Sequence, residues 1–597
     1  MIKVSDYIFN RLVEYGVRDI FMISGGGAMH LVDSVGKNKK LNYYCPHHEQ
    51  AAAIAAEGYT RASGKMGVVV VTSGPGGTNT LTGVIGQWLD SIPCLYLSGQ
   101  VKFETTIASC PDLKLRQLGD QEINIVDIVK PVTKYAVMVT DPKTIRYHLE
   151  KAIYLAKAGR SGPVWLDIPL NVQSTMVDES KLKGFTPPAE KKDAALSAKI
   201  DKIVKLLAKA ERPVIIAGHG IRLAGAQEAF LKLIERLRCP VLTTFNGFDL
   251  VPSDHELFIG RIGTIGDRAG NFALQNADLV ISIGSRNNIR QVSYNWKSFA
   301  RAAKKVIVDI DLAELKKPTV KPDLSINADA AVFISELAKR KVPAKWADWL
   351  KWCREREIKY PVVLEEYKKD HGLVQPYYFI QELTKQLNRD DVVVAGNGTA
   401  CVTLFQAGIV KAGQRMFWNS GCASMGYDLP AAIGAAIASG KGRVICLAGD
   451  GSLQMNIQEL QTLSYHQLPV KLFVLDNCGY VSIKQTQDSF FGGHRVASCP
   501  ETGVSCPDIS KVSAAYGLAT QRIVDQKDLA GQIKAALNSS GPLVCDVKLQ
   551  PDYTFMPKLS SEKRPDGKIV SKPLEDMFPF LDREEFKYNM IVPEWQE

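Results

Sequence analysis

The chain reads as an α/β protein: three doubly wound parallel-sheet domains followed by an irregular carboxyl-terminal tail. Three observations predict this. The stretch from Arg443 to Tyr480 runs apolar strand, polar loop, helix, apolar strand, polar loop, the pattern of a parallel βαβ unit. The first third alternates strands and helices in the same way. An internal repeat relates the first third to the last at one constant offset. It pairs Gly58 with Gly434, Gly64-Lys65 with Gly440-Lys441, Pro93 with Pro469, and Ala55-Ala56 with Ala431-Ala432. Glycine and proline coincide at turns while apolar runs coincide at strands, so two thirds of the chain read as copies of one fold.

Length and composition bound the rest. At 597 residues the chain exceeds one core. A hydrophobic content of 46% and a charged content of 23% are those of a soluble globular protein. No apolar run reaches the roughly 18 residues a membrane span needs, and Met1 to Asn10 lacks the apolar core of a signal peptide. The twelve cysteines are scattered, with no Cys-x-x-Cys pair, which predicts reduced thiols in a cytoplasmic protein. The formal charge of +10 comes from lysines spread along helices. That distribution favours a solvated surface and anionic cofactors over nucleic acid.

The first domain spans residues 1–171. It opens with a helix capped near Ser5, with Val4, Ile8 and Leu12 inward and Gly16 at its end. A strand then leads to the glycine turn Gly25-Gly26-Gly27-Ala28. His47-His48-Glu49-Gln50 precedes an alanine-rich helix from Ala51 to Gly58. Strand Val68 to Thr72, turn Ser73 to Gly77, a helix through Gln87 and strand Cys94 to Ser98 follow. Residues 172–198 read as a polar linker with Pro187-Pro188 and the charge run Glu190-Lys191-Lys192-Asp193.

The middle domain spans residues 199–342. Its strand Pro213 to Ala217 ends at Gly218-His219-Gly220, and strands Asp278 to Gly284 and Lys305 to Asp311 follow. The acidic strand end Asp309-Ile310-Asp311 suits a ribose hydroxyl or a solvated loop equally. A tryptophan-rich helix near Trp346 leads into the third domain, residues 374–548. The tail, residues 549–597, is proline-rich with little periodicity, and is expected to wrap over the other domains.

Chemistry concentrates in the third domain. Gly449-Asp450-Gly451-Ser452 and Asp476-Asn477-Cys478-Gly479-Tyr480 both end apolar strands, which puts them on one edge of a parallel sheet. One carboxylate and one amide oxygen suit Mg²⁺. The glycines admit backbone N–H groups to a diphosphate. A single helix with Leu453, Ile457, Leu460 and Leu463 on one face is expected between the loops.

Gly-Asp-Gly followed by Asp476-Asn477 resembles the diphosphate and metal motif of thiamine diphosphate enzymes, with Asp476 replacing the first of two asparagines. The wider match resembles their acetolactate synthase branch. It covers His48 to Gln50, Ala56 to Tyr59, Thr72 to Asn79, Asp90 to Pro93, Gly99 to Val101, Gly162 to Pro169, Val308 to Asp311, Gly426 to Gly434 and Gly449 to Leu460. The resemblance implies Mg²⁺ on Asp450, Asn477 and the Gly479 carbonyl. It implies catalytic roles for Glu49, which meets the cofactor's aminopyrimidine, for Gln121 near the reacting carbonyl, and for Met425 as an apolar wedge beneath the cofactor. It implies further cofactor contacts at Gly27, Ala28, Thr72, Gly76, Asn79, Gly398, Thr399, Ala423, Gly451, Ser452, Tyr480 and Val481. In the middle domain it implies structural FAD, with ADP or an empty site as alternatives, at Gly218, Gly220, Arg268, Arg286, Asp309, Asp311 and Asp329. It also implies a homodimer or homotetramer with active sites shared between chains.

The departures bear on substrate. Gly398-Thr399-Ala400 replaces the branch's Gly-Gln-His. Thr486 follows Gln485 where the branch has tryptophan. Asn287-Asn288-Ile289-Arg290 replaces an acidic motif, and the tail is longer. These features resemble the acetolactate synthase homologues of surface-polysaccharide gene clusters. The expected reaction is decarboxylation of a 2-ketoacid, pyruvate, and carboligation to a second carbonyl. Transfer of a two-carbon unit to a nucleotide-linked keto sugar, a lyase acting on a 2-hydroxyacyl coenzyme A, and a non-catalytic nucleotide-binding homologue stay open.

Overall fold

The computed structural model describes residues 1–189, 195–370, 372–440, 442–563 and 567–596. The charge run at 190–193 and Lys441 of the repeated Gly-Lys pair lie outside them. Three six-stranded sheets carry the fold.

The first comprises β1 (Asp19–Met22), β2 (Asn42–Tyr44), β3 (Gly67–Val71), β4 (Cys94–Gln100), β5 (Tyr135–Met138) and β6 (Val164–Pro169). The second comprises β7 (Pro213–Ala217), β8 (Val241–Thr243), β9 (Phe258–Arg261), β10 (Leu279–Ile283), β11 (Lys304–Asp309) and β12 (Leu324–Asn327). The third comprises β13 (Val392–Ala395), β14 (Arg415–Phe417), β15 (Val444–Gly449), β16 (Val470–Asp476), β17 (Ala519–Ile523) and β18 (Leu543–Lys548).

The first sheet has the order β2-β1-β3-β4-β6-β5, and the third repeats it as β14-β13-β15-β16-β18-β17, all parallel. The internal repeat is thus a repeat of topology. The middle sheet, also parallel, has the different order β9-β8-β7-β10-β11-β12, in which the strand order, running outward from β7 on either side, switches between β7 and β10. That switch opens a crevice at the carboxyl ends of the two strands.

Buried apolar runs explain the strands. Val68 to Val71, Val444 to Leu447 and Leu472 to Leu475 are fully enclosed, as parallel strands covered by helices on both faces must be. The repeated helices Glu49–Ser63 and Asp428–Ser439 pack against each other with small residues at the contact. Buried ion pairs brace the first domain internally and tie the third to the middle one. Arg61 joins Glu57 (2.8 Å) and Asp90 (2.7 Å), and Arg415 of the third domain joins Asp249 of the middle one (2.6 Å). All are buried, where an unpaired charge is strongly destabilising.

Four expectations need correction. The first helix begins at Val4 with Lys3 as its N-cap, and the Ser5 hydroxyl instead accepts from Ser34 (2.9 Å). The expected helix after Asp450 is two, Asp450–Gln454 and Glu459–Tyr465. The break is held by Asn456, whose amide donates to the Gly426 carbonyl (2.7 Å) and to Gln50 (2.9 Å). The turn expected at Ser73 to Gly77 contains a short helix, Pro75–Thr78, ahead of the expected helix, which runs Leu81–Asp90. The start of the first linker belongs to the first domain, since Met176–Val177 pairs with Ile2–Lys3 and Leu182 is buried.

The tail does wrap over its neighbours. Glu575 accepts from Gln275 (2.5 Å) and pairs with Arg301 (2.6 Å), and the Asn589 carbonyl accepts from Asn276 (2.9 Å).

Candidate cofactor and metal site

The two polar loops of the third domain leave adjacent parallel strands, β15 and β16. They meet directly. Asp450 accepts backbone hydrogen bonds from Gly451 (2.8 Å) and Gly479 (2.9 Å). Burial raises its carboxyl to about 6, and these two bonds oppose the rise. Gly479 can close this turn because its φ is +119°, and because a Cβ there would strike the Ser498 carbonyl.

Asn477 is 3% exposed, and its Oδ1 has no hydrogen-bond partner. Its Nδ2 donates to Thr399 Oγ1 (3.1 Å). A buried amide oxygen left open beside a buried carboxylate fits a hard cation with oxygen ligands. Among the described residues no cluster of three or more histidine, cysteine or acidic side chains forms a metal site. One carboxylate and one open amide oxygen match Mg²⁺, which takes few protein ligands and keeps the others for water and phosphate. Asp476, beside Asn477, is paired with Lys548.

The wall opposite is the turn at Gly398, whose φ is +80° and which starts the helix Thr399–Ala407. Gly451 leaves room for the Tyr480 ring, which a Cβ would strike. The Ser452 hydroxyl accepts from Gly426 N–H (2.9 Å) and donates to buried Asp428 (2.5 Å). This fixes Met425 and Ala423, the latter at φ +54°, on a loop whose amides at Ser420 and Gly421 donate to Asp90 of the first domain (3.1 and 3.0 Å). Met425 is half-buried.

Glu49 is the first residue of its helix, capped by His48 Nδ1, which accepts from Gln50 N–H (3.0 Å). Its carboxylate accepts from Asn79 Nδ2 (2.9 Å) and is half-buried. Its neighbour Gln50 touches Asn456, so the amino end of this helix abuts the segment behind the Asp450 loop. Thr72 Oγ1 accepts from Gly27 N–H (3.1 Å), and Gly76 and Ala28 pack close by. Gln121 is exposed, at φ +57°, with its carbonyl against Gly74. Val481 begins the helix Val481–Phe490.

In the middle domain a cavity of about 480 Å³ lies at the crevice between β7 and β10. His219, Gly220, Arg286, Asp309 and Asp329 line it. Gly218 and Gly220 pack on Gly284, too close for a Cβ on either. Both His219 ring nitrogens are buried without partners, and burial with nearby Arg415, Arg61 and Arg222 pushes its pKa well below the ordinary value. An uncharged, unpartnered imidazole on a cavity wall fits a polar ligand there. Arg268 stands outside this wall, its guanidinium donating to the tail carbonyls of Met577 (3.3 Å) and Pro579. Asp311 pairs with Arg160 of the first domain (2.9 Å) in an adjoining recess.

Sequence reasoning missed Tyr553, Asp428 and Asn456. Asp428 and Asn456 sit inside matched stretches. Tyr553 carries no local signal.

Comparison with known proteins agrees with this geometry. Three family models match: the N-terminal TPP binding domain of thiamine pyrophosphate enzymes at residues 2–126, their central domain at 200–337, and their C-terminal TPP binding domain at 396–547. The chain belongs to the thiamine pyrophosphate (thiamine diphosphate) enzymes. Within that family it is similar along its length to acetolactate synthase large subunits. It is 32% identical to that of Lactococcus lactis, covering 95% of this chain and 96% of the relative. It is 33% identical to a probable acetolactate synthase large subunit of Methanocaldococcus jannaschii, covering 92% of each. It is 29% identical to acetolactate synthase 1, chloroplastic, of Nicotiana tabacum, covering 94% of this chain and 83% of the relative. The chain is thus a thiamine diphosphate-dependent, acetolactate synthase-like enzyme, and Mg²⁺ accompanies the cofactor. No helix among the described residues is long and apolar enough to cross a membrane.

Proposed function

We propose that this chain decarboxylates a 2-ketoacid, pyruvate, and joins the remaining two-carbon unit to a carbonyl acceptor. The observation that carries the reading is the joined pair of loops, Asp450 bonded to Gly479 N–H with the open Oδ1 of Asn477 beside it. Asp450, Asn477 and the Gly479 carbonyl hold Mg²⁺. The N–H groups at Ser452 and the start of the Thr399 helix receive a diphosphate. Thiamine diphosphate, when bound, supplies the electron sink for cleavage of the bond between carboxylate and carbonyl carbons. Glu49 meets the cofactor's aminopyrimidine ring and exchanges a proton with it, and Asn79 keeps its carboxylate oriented. Met425 offers an apolar support on a loop fixed from two domains.

The half-exposed Glu49 and the exposed Gln121 support a site completed by a second chain, in a homodimer or homotetramer. FAD as a structural ligand is the accompanying proposal for the middle cavity.

For the acceptor, a second pyruvate giving acetolactate is the first reading, supported by the relatives. A nucleotide-linked keto sugar is the second. It is favoured by Thr486, whose small side chain folds back onto the Ser482 carbonyl (3.0 Å) on an exposed helix face. Incubating the loaded enzyme with pyruvate, alone and with each acceptor, and reading carbon dioxide and product mass tests both. Acetolactate from pyruvate alone supports the first. Ligation only in the presence of the sugar supports the second. No carbon dioxide release under any condition overturns both.

A further inference from the structure

The tail reaches into the metal loops. Leu549 N–H donates to the Asp476 carbonyl (2.8 Å), so the chain leaves the third sheet one residue short of Asn477. It is then strapped down at successive points. The Pro551 carbonyl accepts from Lys484 (2.7 Å), the Tyr553 carbonyl from Gln485 Nε2 (3.2 Å), and the Pro557 carbonyl from Gln406 (2.6 Å). Met556 N–H donates to the Tyr377 hydroxyl (3.0 Å), and Lys558 to Gln485 Oε1 (3.1 Å). In the middle of this strap Tyr553 turns inward. Its ring is buried against Phe555, and its hydroxyl hydrogen-bonds Thr399 Oγ1, the same oxygen that accepts from Asn477 Nδ2.

We propose that Tyr553 is a positioning residue for the cation: through Thr399 it fixes which end of the Asn477 amide faces the metal. This rests on the reading of Asp450, Asn477 and Gly479 as the cation's ligands. Hydrogen-bond capacity sets the orientation. A threonine hydroxyl has one hydrogen and two lone pairs. Either oxygen of the Thr399–Tyr553 bond can donate, and Asn477 Nδ2 already donates to Thr399 Oγ1; a threonine hydrogen committed to Tyr553 leaves Thr399 only an acceptor toward Asn477. The amide must then present Nδ2 to Thr399 and Oδ1 to the cation. Without the phenol, the threonine hydrogen is free to donate to Oδ1, and the flipped amide turns its N–H groups toward the cation. Outer partners of this kind orient metal ligands, and their loss typically weakens affinity about 10- to 100-fold. The tail thereby becomes part of the metal site, and the same tail grips the middle domain at Glu575.

The test measures Mn²⁺ affinity at saturating thiamine diphosphate by electron paramagnetic resonance, for the full-length protein and for Y553F, F555L and D450N. Y553F keeps the ring and removes only the hydroxyl. F555L loosens the same strap without touching the hydroxyl. Y553F is expected to bind Mn²⁺ at least tenfold more weakly with an unchanged melting temperature. F555L is expected to melt earlier but to bind Mn²⁺ normally, and D450N to lose binding. Normal affinity in Y553F with binding lost in D450N overturns the positioning role alone. Equal weakening in F555L and Y553F also overturns it, because the strap's packing would then suffice. Normal affinity in D450N overturns the underlying metal assignment and the proposal with it.

Discussion

Gly58 and Ala431 stand so close that a Cβ on the glycine would fall well under 3.0 Å from the Ala431 carbonyl oxygen, and Gly434 makes the reciprocal approach to Ala55. These are the residues that the internal repeat pairs. The repeated helices therefore cross about a local pseudo-twofold axis, each offering a glycine to the other's backbone. This crossing sets the helix that Glu49 begins and the helix Asp428–Ser439 that follows the Met425 loop.

Gly58→Ala and Gly434→Ala should each destabilise the protein by about 1–3 kcal/mol or more, since backbone cannot yield as a side chain can. Gly36→Ala, in the helix Met29–Lys37 with open space around it, should stabilise by about 0.5 kcal/mol. Urea denaturation of the three variants checks the contrast. Similar effects at all three positions would remove the close crossing as the cause.

Glu49→Gln should leave the fold and cofactor binding intact while proton exchange at the reactive thiazolium carbon slows by roughly 10²- to 10⁴-fold. Deuterium exchange followed by magnetic resonance reads this directly. An unchanged rate would take Glu49 out of the mechanism.

Asp167 gives a pH signature. Burial raises its carboxyl to about 6, against hydrogen bonds from Ser98 (2.5 Å) and Gln100 (3.1 Å). A raised carboxyl binds its proton more tightly in the folded state. Its stabilising contribution is therefore complete below the unfolded value of about 4 and is lost as pH rises through 6, on the order of 3 kcal/mol in all. Asp167→Asn should flatten stability between pH 4 and 6. Parallel denaturation curves for the two proteins across that window would refute the assignment.

Chelation of divalent ions should release thiamine diphosphate, and Asp450→Ala should fail to bind it, because the diphosphate charge is then uncompensated. Calorimetry with the cofactor decides. Normal affinity in the variant would contradict the site.

Co-expressed Glu49→Gln and Asp450→Ala chains should recover part of the activity if sites are built between chains, since a mixed dimer holds one site with neither change. Light scattering must first confirm the mixed species. No gain above either parent would place each site within one chain.

Much of this was legible in the sequence because it is local. Apolar runs such as Val68 to Val71 and Leu472 to Leu475 can only be covered strands. Glycines at 449, 451 and 479 announce loops where backbone must approach a ligand, and Gly58 with Gly434 exposed the repeat. Other features depended on partners far along the chain. Asn456 breaks its helix because Gln50 and Gly426 lie against it. Ser5 does not cap because Ser34 meets its hydroxyl. Arg268 turns to the tail and away from the cavity. Tyr553 enters the metal loops only because β18 lies beside β16 and delivers the tail next to Asn477. Propensity and periodicity act over a few residues and so determined the strands, the loops and the copied domains. The pairing of groups tens to hundreds of residues apart is set by packing, so tertiary structure alone decided which side chains complete the site.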